Sequence, residues 1–494
     1  MIKTPRSTQP ESFTERAKTV ALQNSNYRPS GKPVTLAVQL QQVALFLIAL
    51  RAGKSWATAQ FDIESSQRAG IQAITFAVLR HLGQGHALRT LLAERKPVPA
   101  ADALLTAALA LICAQRAPEP PPGAVYEEHV IVSQAVEAIK MQPHLAPQSS
   151  FINACLRRFL RERDALMGSL RMNLEAQFNH PEWWIRQVQR DWPDSWQKLL
   201  QGNRRSPPLT LRINEQNSSV AHMESALSAT EFIVNTQMQR VAQSGLQLSR
   251  SLPVSQLPGY AEGWFSVQDA AAQLAAPLLM EAIAQQPVGA GGVKNPQPVQ
   301  PLRLLDACAA PGGKTSHLLE WAAKRHIPVE VIALDVDAKR CEIIEENLAR
   351  LGLKARIMAR DAGEPQSWHD GQPFDGILLD APCTASGIVR RHPDIPWLRR
   401  DSDIANLAEQ QQRLLHALWP LVKPGGVLLY CTCSVFKAEG SAQIDSFVTH
   451  HTDAQSLSAP GHLLPLNRTD SSPMPENSWG EHDGFFYALL RKQH

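Results

Sequence analysis

The chain has 494 residues, 44% of them apolar and 19% charged, a globular balance that excludes a disordered chain and allows more than one core. It offers no stretch of roughly 18 clean apolar residues, so no membrane span is expected. The formal net charge of +3 hides an asymmetry: residues 1–170 carry 19 Lys and Arg against 12 Asp and Glu, a net of +7 that leaves −4 for the rest. A basic front suits contact with a polyanion, although a solvated charged surface gives the same count.

Residues 1–33 are polar and have no apolar signal core, so they read as a flexible tail and secretion is not expected. Seven cysteines, an odd number in a long chain, do not form a disulfide framework and fit a reducing cytoplasm. Over 34–168 the pattern is helical. Ala37, Leu40, Val43, Ala44, Phe46 and Leu47 recur at helical spacing, as do Ile71, Ile74, Ala77, Val78 and Leu82. The prolines at 118 and 120–122 interrupt an otherwise all-α domain. Residues 169–264 are mixed. Trp183, Trp184, Trp192 and Trp196 read as a helical packing core, and Pro208–Asn214 reads as a strand. Residues 286–301 are rich in Gly, Pro and Gln and read as a surface insertion within a last unit spanning 265–494.

In that unit strands alternate with helices. Strands are expected at 302–308, 329–334, 355–359, 374–379, 426–430 and 485–490, which predicts a mostly parallel, doubly wound, Rossmann-like sheet. Such sheets hold ligands beyond the strand ends. The first strand leads into Cys308-Ala309-Ala310-Pro311-Gly312-Gly313-Lys314, small residues that allow close backbone approach ahead of a helix N-terminus. The spacing fits neither a nucleotide P-loop nor the three-glycine dinucleotide fingerprint. Asp335, at the second strand end, is suited to ribose hydroxyls, and Asp361, at the third, to an adenine amino group. Together they favour S-adenosylmethionine, which has ribose and adenine but no pyrophosphate. A helix cap is the commoner role of a single strand-end Asp.

Asp380-Ala381-Pro382-Cys383 follows the fourth strand and Thr432-Cys433-Ser434 the fifth, so adjacent parallel strands would bring both cysteines to one edge. A thiolate there is suited to attack a pyrimidine at C6. Small buried packing is the ordinary role of cysteine, and Cys431 with Cys433 lacks the second cluster that a metal site requires, so no metal is expected.

The segments DACAAPGGKTSHLLE, DAPCTASGIVRRHPDIPWLRR, YCTCSVFKAEG and DGFFYALLRK resemble the motifs of RNA 5-cytosine methyltransferases. FSVQDAAAQLAAPLL at 265–279 resembles the entry to that catalytic domain, and FINACLRRFLRER at 151–163 resembles a NusB-like RNA-binding domain. The resemblance implies an S-adenosylmethionine-dependent Rossmann-like enzyme with a NusB-like front and 16S ribosomal RNA as partner. It implies Cys433 as the nucleophile on C6 and Cys383 as the residue assisting product release, the reverse of the DNA enzymes. It assigns Cys308 to Lys314, Asp335, Asp361 and Asp380 to the cofactor. Asp380 is also expected to share a proton with the cytosine, and Arg157, Arg158, Arg161 and Arg163 to contact RNA phosphate. Cys431 departs from the pattern, where a small non-thiol residue is more usual. The same motifs suit a tRNA or another rRNA site, and a non-catalytic ribosome-assembly factor is the reading from another class.

Overall fold

The computed structural model describes residues 35–59, 65–117, 125–233, 236–285, 300–465 and 480–493. The expected tail, the proline run and most of the expected insertion lie outside these residues.

The front is helical. The helices are α1 (Leu36–Arg51), α2 (Ser65–Leu79), α3 (Leu82–Leu92), α4 (Pro99–Gln115), α5 (Glu128–Lys140) and α6 (Ser149–Ser169). Proline at the first position of α4 costs no intrahelical hydrogen bond. Every residue of α4 from Ala101 to Ala114 is buried, so α4 is the axis about which the others pack. Asp102, inside that axis, is paired with Arg51 at 2.7 Å and Arg89 at 2.9 Å, which ties α1 and α3 to it.

A second group of helices, α7 (Leu174–Phe178), α8 (Glu182–Asp191) and α9 (Trp196–Gly202), leads to a small sheet. The four tryptophans do not lie in one helical stretch: Trp183 and Trp184 are on α8 and Trp196 on α9, while Trp192 stands between them, because Asp191 ends α8 and Trp192 leaves helical geometry. They share one cluster. Trp184 is fully buried against Phe436, and the Trp192 indole donates to the Val435 carbonyl at 2.8 Å.

The small sheet is antiparallel, ordered β2-β3-β1-β4, from β1 (Leu209–Ile213), β2 (Met238–Val241), β3 (Gly245–Leu248) and β4 (Phe265–Val267), with α10 (Val220–Ser228) packed on it. The strand just past residue 264 therefore pairs backward with β1, not forward into the large sheet. After α11 (Ala275–Ala284) the large sheet begins.

Its strands are β5 (Leu302–Ala307), β6 (Val329–Asp335), β7 (Arg356–Ala359), β8 (Phe374–Asp380), β9 (Val422–Thr432), β10 (Ala454–Leu463) and β11 (Phe485–Lys492), ordered β10-β11-β9-β8-β5-β6-β7. The pairs from β7 to β9 are parallel, while β11 and β10 run antiparallel. Helices α12 (Gly313–Lys324), α13 (Ala338–Leu351), α14 (Ile395–Leu398), α15 (Ser402–Leu418) and α16 (Ser441–His450) complete the unit. Alternate strand residues divide between the faces. Leu304, Val331, Leu378 and Leu429 meet α11, while Leu305, Ile332, Ile377 and Leu428 meet α15 and α16. Chain order reverses at β5, between β6 and β8, and this switch point fixes where a ligand can lie. The fold class expected from the sequence, a Rossmann-like domain behind an all-α NusB-like one, is the fold observed. No helix among the described residues is long and apolar enough to cross a membrane.

The small sheet is joined to the large one by a buried ion pair. Arg212 on β1 is 1% exposed. It contacts Glu320 at 2.9 Å and donates to Ser316 and the Gly313 carbonyl, all on α12. Arg212→Ala leaves Glu320 buried without a counter-charge, and a loss of about 3–5 kcal/mol is expected in denaturant unfolding. A loss below 1 kcal/mol would show that the pair does not carry the junction.

Candidate active site

Loops at the carboxyl ends of β5, β6, β7 and β8 meet near the switch point, joined by the end of β9. The first turns sharply: Cys308 and Gly312 have φ of 63° and 93°. A side chain at Gly312 would press on Ile344 of α13 at 3.0 Å, so glycine is required by both conformation and space. Ala309 packs under Ile344 and Leu348, and the Pro311 carbonyl accepts from Asn347. Ile344, Asn347 and Leu348 of α13 hold the loop from behind. Asp335 braces it from the other side, its carboxylate accepting from the N–H groups of Ala310 (3.2 Å) and Asp337 (3.1 Å). Cys308, Asp335, Val336, Arg340, Asp361 and Pro382 line one cleft. Asp361 enters it already bonded to Arg413 at 2.9 Å, with its other oxygen capping Gly363.

Asp380 ends β8 and receives the Lys314 ammonium at 2.6 Å and the Cys431 thiol at 3.5 Å. Burial opposes the charge of Lys314, but Asp380 outweighs it and holds the ammonium above its ordinary range. Lys314 is thus held as a cation against Asp380, the residue expected to meet the cytosine. Burial pushes the Cys431 thiol well up, and the nearby carboxylate of Asp380 adds to this, so Cys431 stays neutral beside it.

The two cysteines expected to share an edge do so, with Cys383 Sγ 3.4 Å from Cys433 Sγ. Cys383 is buried and Cys433 half-buried. The contact with Cys433, then burial, raises Cys383 well above the ordinary thiol range, so it is held protonated. The Arg399 guanidinium donates to the carbonyls of Cys383 (3.1 Å) and Thr384 (3.2 Å), and the Gly387 N–H donates to the Cys433 carbonyl at 2.9 Å. Arg399 and Glu439, which bonds Thr384, carry no signal of their own in the sequence. Thr384 lies 55 residues before Glu439 and 15 before Arg399.

The four arginines expected to meet RNA do not form one cluster. Arg157, Arg158 and Arg161 lie exposed on α6. Arg158 is paired with Glu162 and Arg157 bonds Asn153. Arg163 turns inward, bonded to Glu128 at 2.6 Å and stacked over Phe159. Among the described residues, no group of three or more His, Cys, Asp or Glu side chains could hold a metal ion.

Asp306, beneath the loop, is fully buried. Burial raises its carboxyl to about 7 from 3.8, against the opposing hydrogen bond from Thr315. A carboxyl raised in the folded state gives stability at low pH that is lost as pH climbs from about 4 to about 7. Asp306→Asn stays neutral, so its melting temperature relative to the parent should climb through that window and level off above it. Parallel pH profiles in thermal melts would show that Asp306 does not titrate there.

Residues 294–491 match the family model described as 16S rRNA methyltransferase RsmB/F, and residues 180–255 match the ferredoxin-like domain of RsmF/B-like methyltransferases. The ribosomal RNA small subunit methyltransferase B of Klebsiella pneumoniae is 39% identical over 370 residues, 74% of this chain and 78% of that protein. The protein of the same name from Cronobacter sakazakii is 37% identical over 442 residues, 88% of this chain and 92% of its own length. The crystal structure of PH0851 shares the fold with a TM-score of 0.65 at 22% identity, covering 92% of this chain and 99% of that one. The chain belongs to the family of ribosomal RNA small subunit methyltransferase B.

Proposed function

We propose that the protein methylates C5 of a cytosine in 16S ribosomal RNA, using S-adenosylmethionine and a covalent adduct between Cys433 and C6. The observation that carries this reading is the pair of thiols 3.4 Å apart at the strand ends, beside the Lys314–Asp380 pair.

The cleft residues fit the donor. Val336 is 71% exposed next to buried Asp335, an apolar face open to a planar ring beside a carboxylate suited to two hydroxyls. Asp335 would hold the ribose, Val336 and Pro382 would flank the adenine near Asp361, and the 308–314 loop would take the methionine part. When bound, S-adenosylmethionine supplies an electrophilic methyl group.

The target base must leave its stack to reach these groups, which favours a single-stranded or loop cytosine. Attack by Cys433 forms the Sγ–C6 bond and sends electron density into the ring. The Lys314 ammonium, fixed by Asp380, is the positive charge that meets it. C5 then takes the methyl group and must lose its proton before the Sγ–C6 bond can break. Cys383 assists here. Directly or through water it relays the C5 proton away, the C5–C6 double bond re-forms, and Cys433 leaves as a thiolate. Exposed Arg157, Arg158 and Arg161 on the basic front contribute phosphate contacts, with Arg163 bracing α6.

The two cysteine variants should fail differently. Cys433→Ala should lose both methyl transfer and the covalent RNA adduct. Cys383→Ala should form the adduct and stall, leaving a protein–RNA species that survives denaturing electrophoresis. The opposite pattern would exchange the two roles. Bisulfite sequencing of 16S rRNA from a deletion strain would identify the base, and an unchanged map would refute the substrate.

For the donor, Asp335→Ala should weaken binding by roughly 1.5–3 kcal/mol, the scale of hydrogen bonds to a charged group. Calorimetry giving an unchanged affinity would remove Asp335 from the site.

A further inference from the structure

Glu439 lies in the turn after β9 and is fully buried. Its carboxylate accepts from the Thr384 N–H at 2.8 Å and from the Thr384 hydroxyl. It also accepts from Ser434 Oγ at 2.6 Å and Gln411 Nε2 at 3.2 Å. Its backbone carbonyl accepts from the hydroxyls of Tyr430 (2.9 Å) and Thr432 (3.2 Å). No salt bridge to Glu439 is present among the described residues. A buried carboxylate without a counter-ion is costly unless its lone pairs are filled, and four donors fill them here.

The donors have a pattern. Thr384 follows Cys383 in the chain, and Ser434 follows Cys433. One carboxylate therefore grips the residue after each cysteine, from loops that are 50 residues apart in sequence. The direction of the bonds is fixed as well. Ser434 gives its proton to Glu439, so its oxygen is left to accept from the Phe436 N–H at 3.0 Å and from the Ser386 hydroxyl at 2.8 Å. Ser386 in turn accepts from the Val435 N–H at 2.9 Å. The two loops are thus laced together on the side away from the base, with Glu439 as the shared acceptor.

We propose that Glu439 is a positioning residue that sets the separation of Cys383 and Cys433 by holding the residue that follows each. The inference rests on the two-cysteine reading of the reaction, since spacing matters only if both thiols act on one ring. A misplacement of about 1 Å between reacting groups can cost about a hundredfold in rate. A glutamine at this position presents N–H groups to donors, so at least one grip is lost while volume is kept. An aspartate is one methylene too short to hold both loops.

The test uses the full-length protein with Glu439→Gln and, as a milder variant, Ser434→Ala. Two measurements are made on each. The first is the rate at which diamide, a diazene that takes two hydrogens and leaves a disulfide, links Cys383 to Cys433, mapped by peptide mass spectrometry. This rate reads the thiol separation without any methyl transfer. The second is steady-state methylation with separate constants for rRNA and S-adenosylmethionine. Glu439→Gln should link the pair at least tenfold more slowly. Its kcat should fall about tenfold to a hundredfold with both Michaelis constants within twofold of the parent, and Ser434→Ala should move both readouts the same way by less. A role in stability alone would lower the melting temperature and leave the linking rate of the folded fraction unchanged, and that result overturns the proposal. Slower linking with unchanged kcat would leave the spacing role standing and refute the two-cysteine reaction.

Discussion

The parallel ladder between β8 and β9 is the constraint on which the site depends. It sets Asp380 opposite Cys431. From that register the chain needs only three residues beyond β8 to reach Cys383 and two beyond Cys431 to reach Cys433. A slip of one residue would turn every side chain of β9 to the other face, placing Tyr430 and Leu428 against the wrong helices. Burial of Leu428, Leu429 and Tyr430 on both faces is therefore what secures the thiol pair. The sheet core and the thiol pair are one problem in packing.

Charge is handled in the same way. Burial, with the nearby carboxylates of Asp380, Asp335 and Asp306 adding to it, raises the Cys308 thiol, so it stays neutral. Each acid is settled differently. Asp306 is raised by burial, Asp335 is filled by backbone N–H groups, and Asp380 is paired with Lys314. Lys314 is thereby fixed as a cation, its ammonium also lying over the Phe485 ring, 5.5 Å from the centroid. The pairing of Lys314 with Asp380 links the loop after β5 to the end of β8.

Much of this was legible in the chain. Short apolar runs closed by Asp or Cys announce strands β5, β6, β8 and β9, because these strands are buried on both faces. The edge of the sheet was not. β10 reads Ala-Gln-Ser-Leu-Ser-Ala-Pro-Gly-His-Leu, with no apolar alternation, and its ladder to β11 shifts register between Leu457 and Gly461, as suits an edge strand. The β2–β3 hairpin was equally silent, since four-residue strands joined through Ala242 in the left-handed region carry no glycine turn signal. Within the site the cysteines and acids stood out, while Glu439 and Arg399, though inside the quoted motifs, gave no sign of their role, because that role lies in contacts with the other cysteine loop or with backbone 15 and 16 residues back. Arg163 was grouped with its neighbours by spacing, yet Glu128 and Phe159 draw it inward.

The helical front is also part of the frame around the cysteines. The segment after Cys383 runs out to α14 and touches the front domain along its length. The Trp56 N–H donates to Asp394 at 2.9 Å, and Arg80 donates to the Arg390 carbonyl at 2.8 Å. Trp397 and Leu398 pack on the helical core, with the Trp397 ring 5.3 Å from that of His86. Arg399, next in the chain, then turns back to hold the carbonyls of Cys383 and Thr384. Backbone that makes no regular ladder of its own is thus fixed at one end by the helical domain and at the other by Glu439. A loop spanning that distance without such ties would sample many conformations at a cost of roughly 1–2 kcal/mol per residue to order. Here the ordering is supplied by packing that the front domain already provides, so the domain with the basic surface and the loop with the buried thiol form one continuous structure.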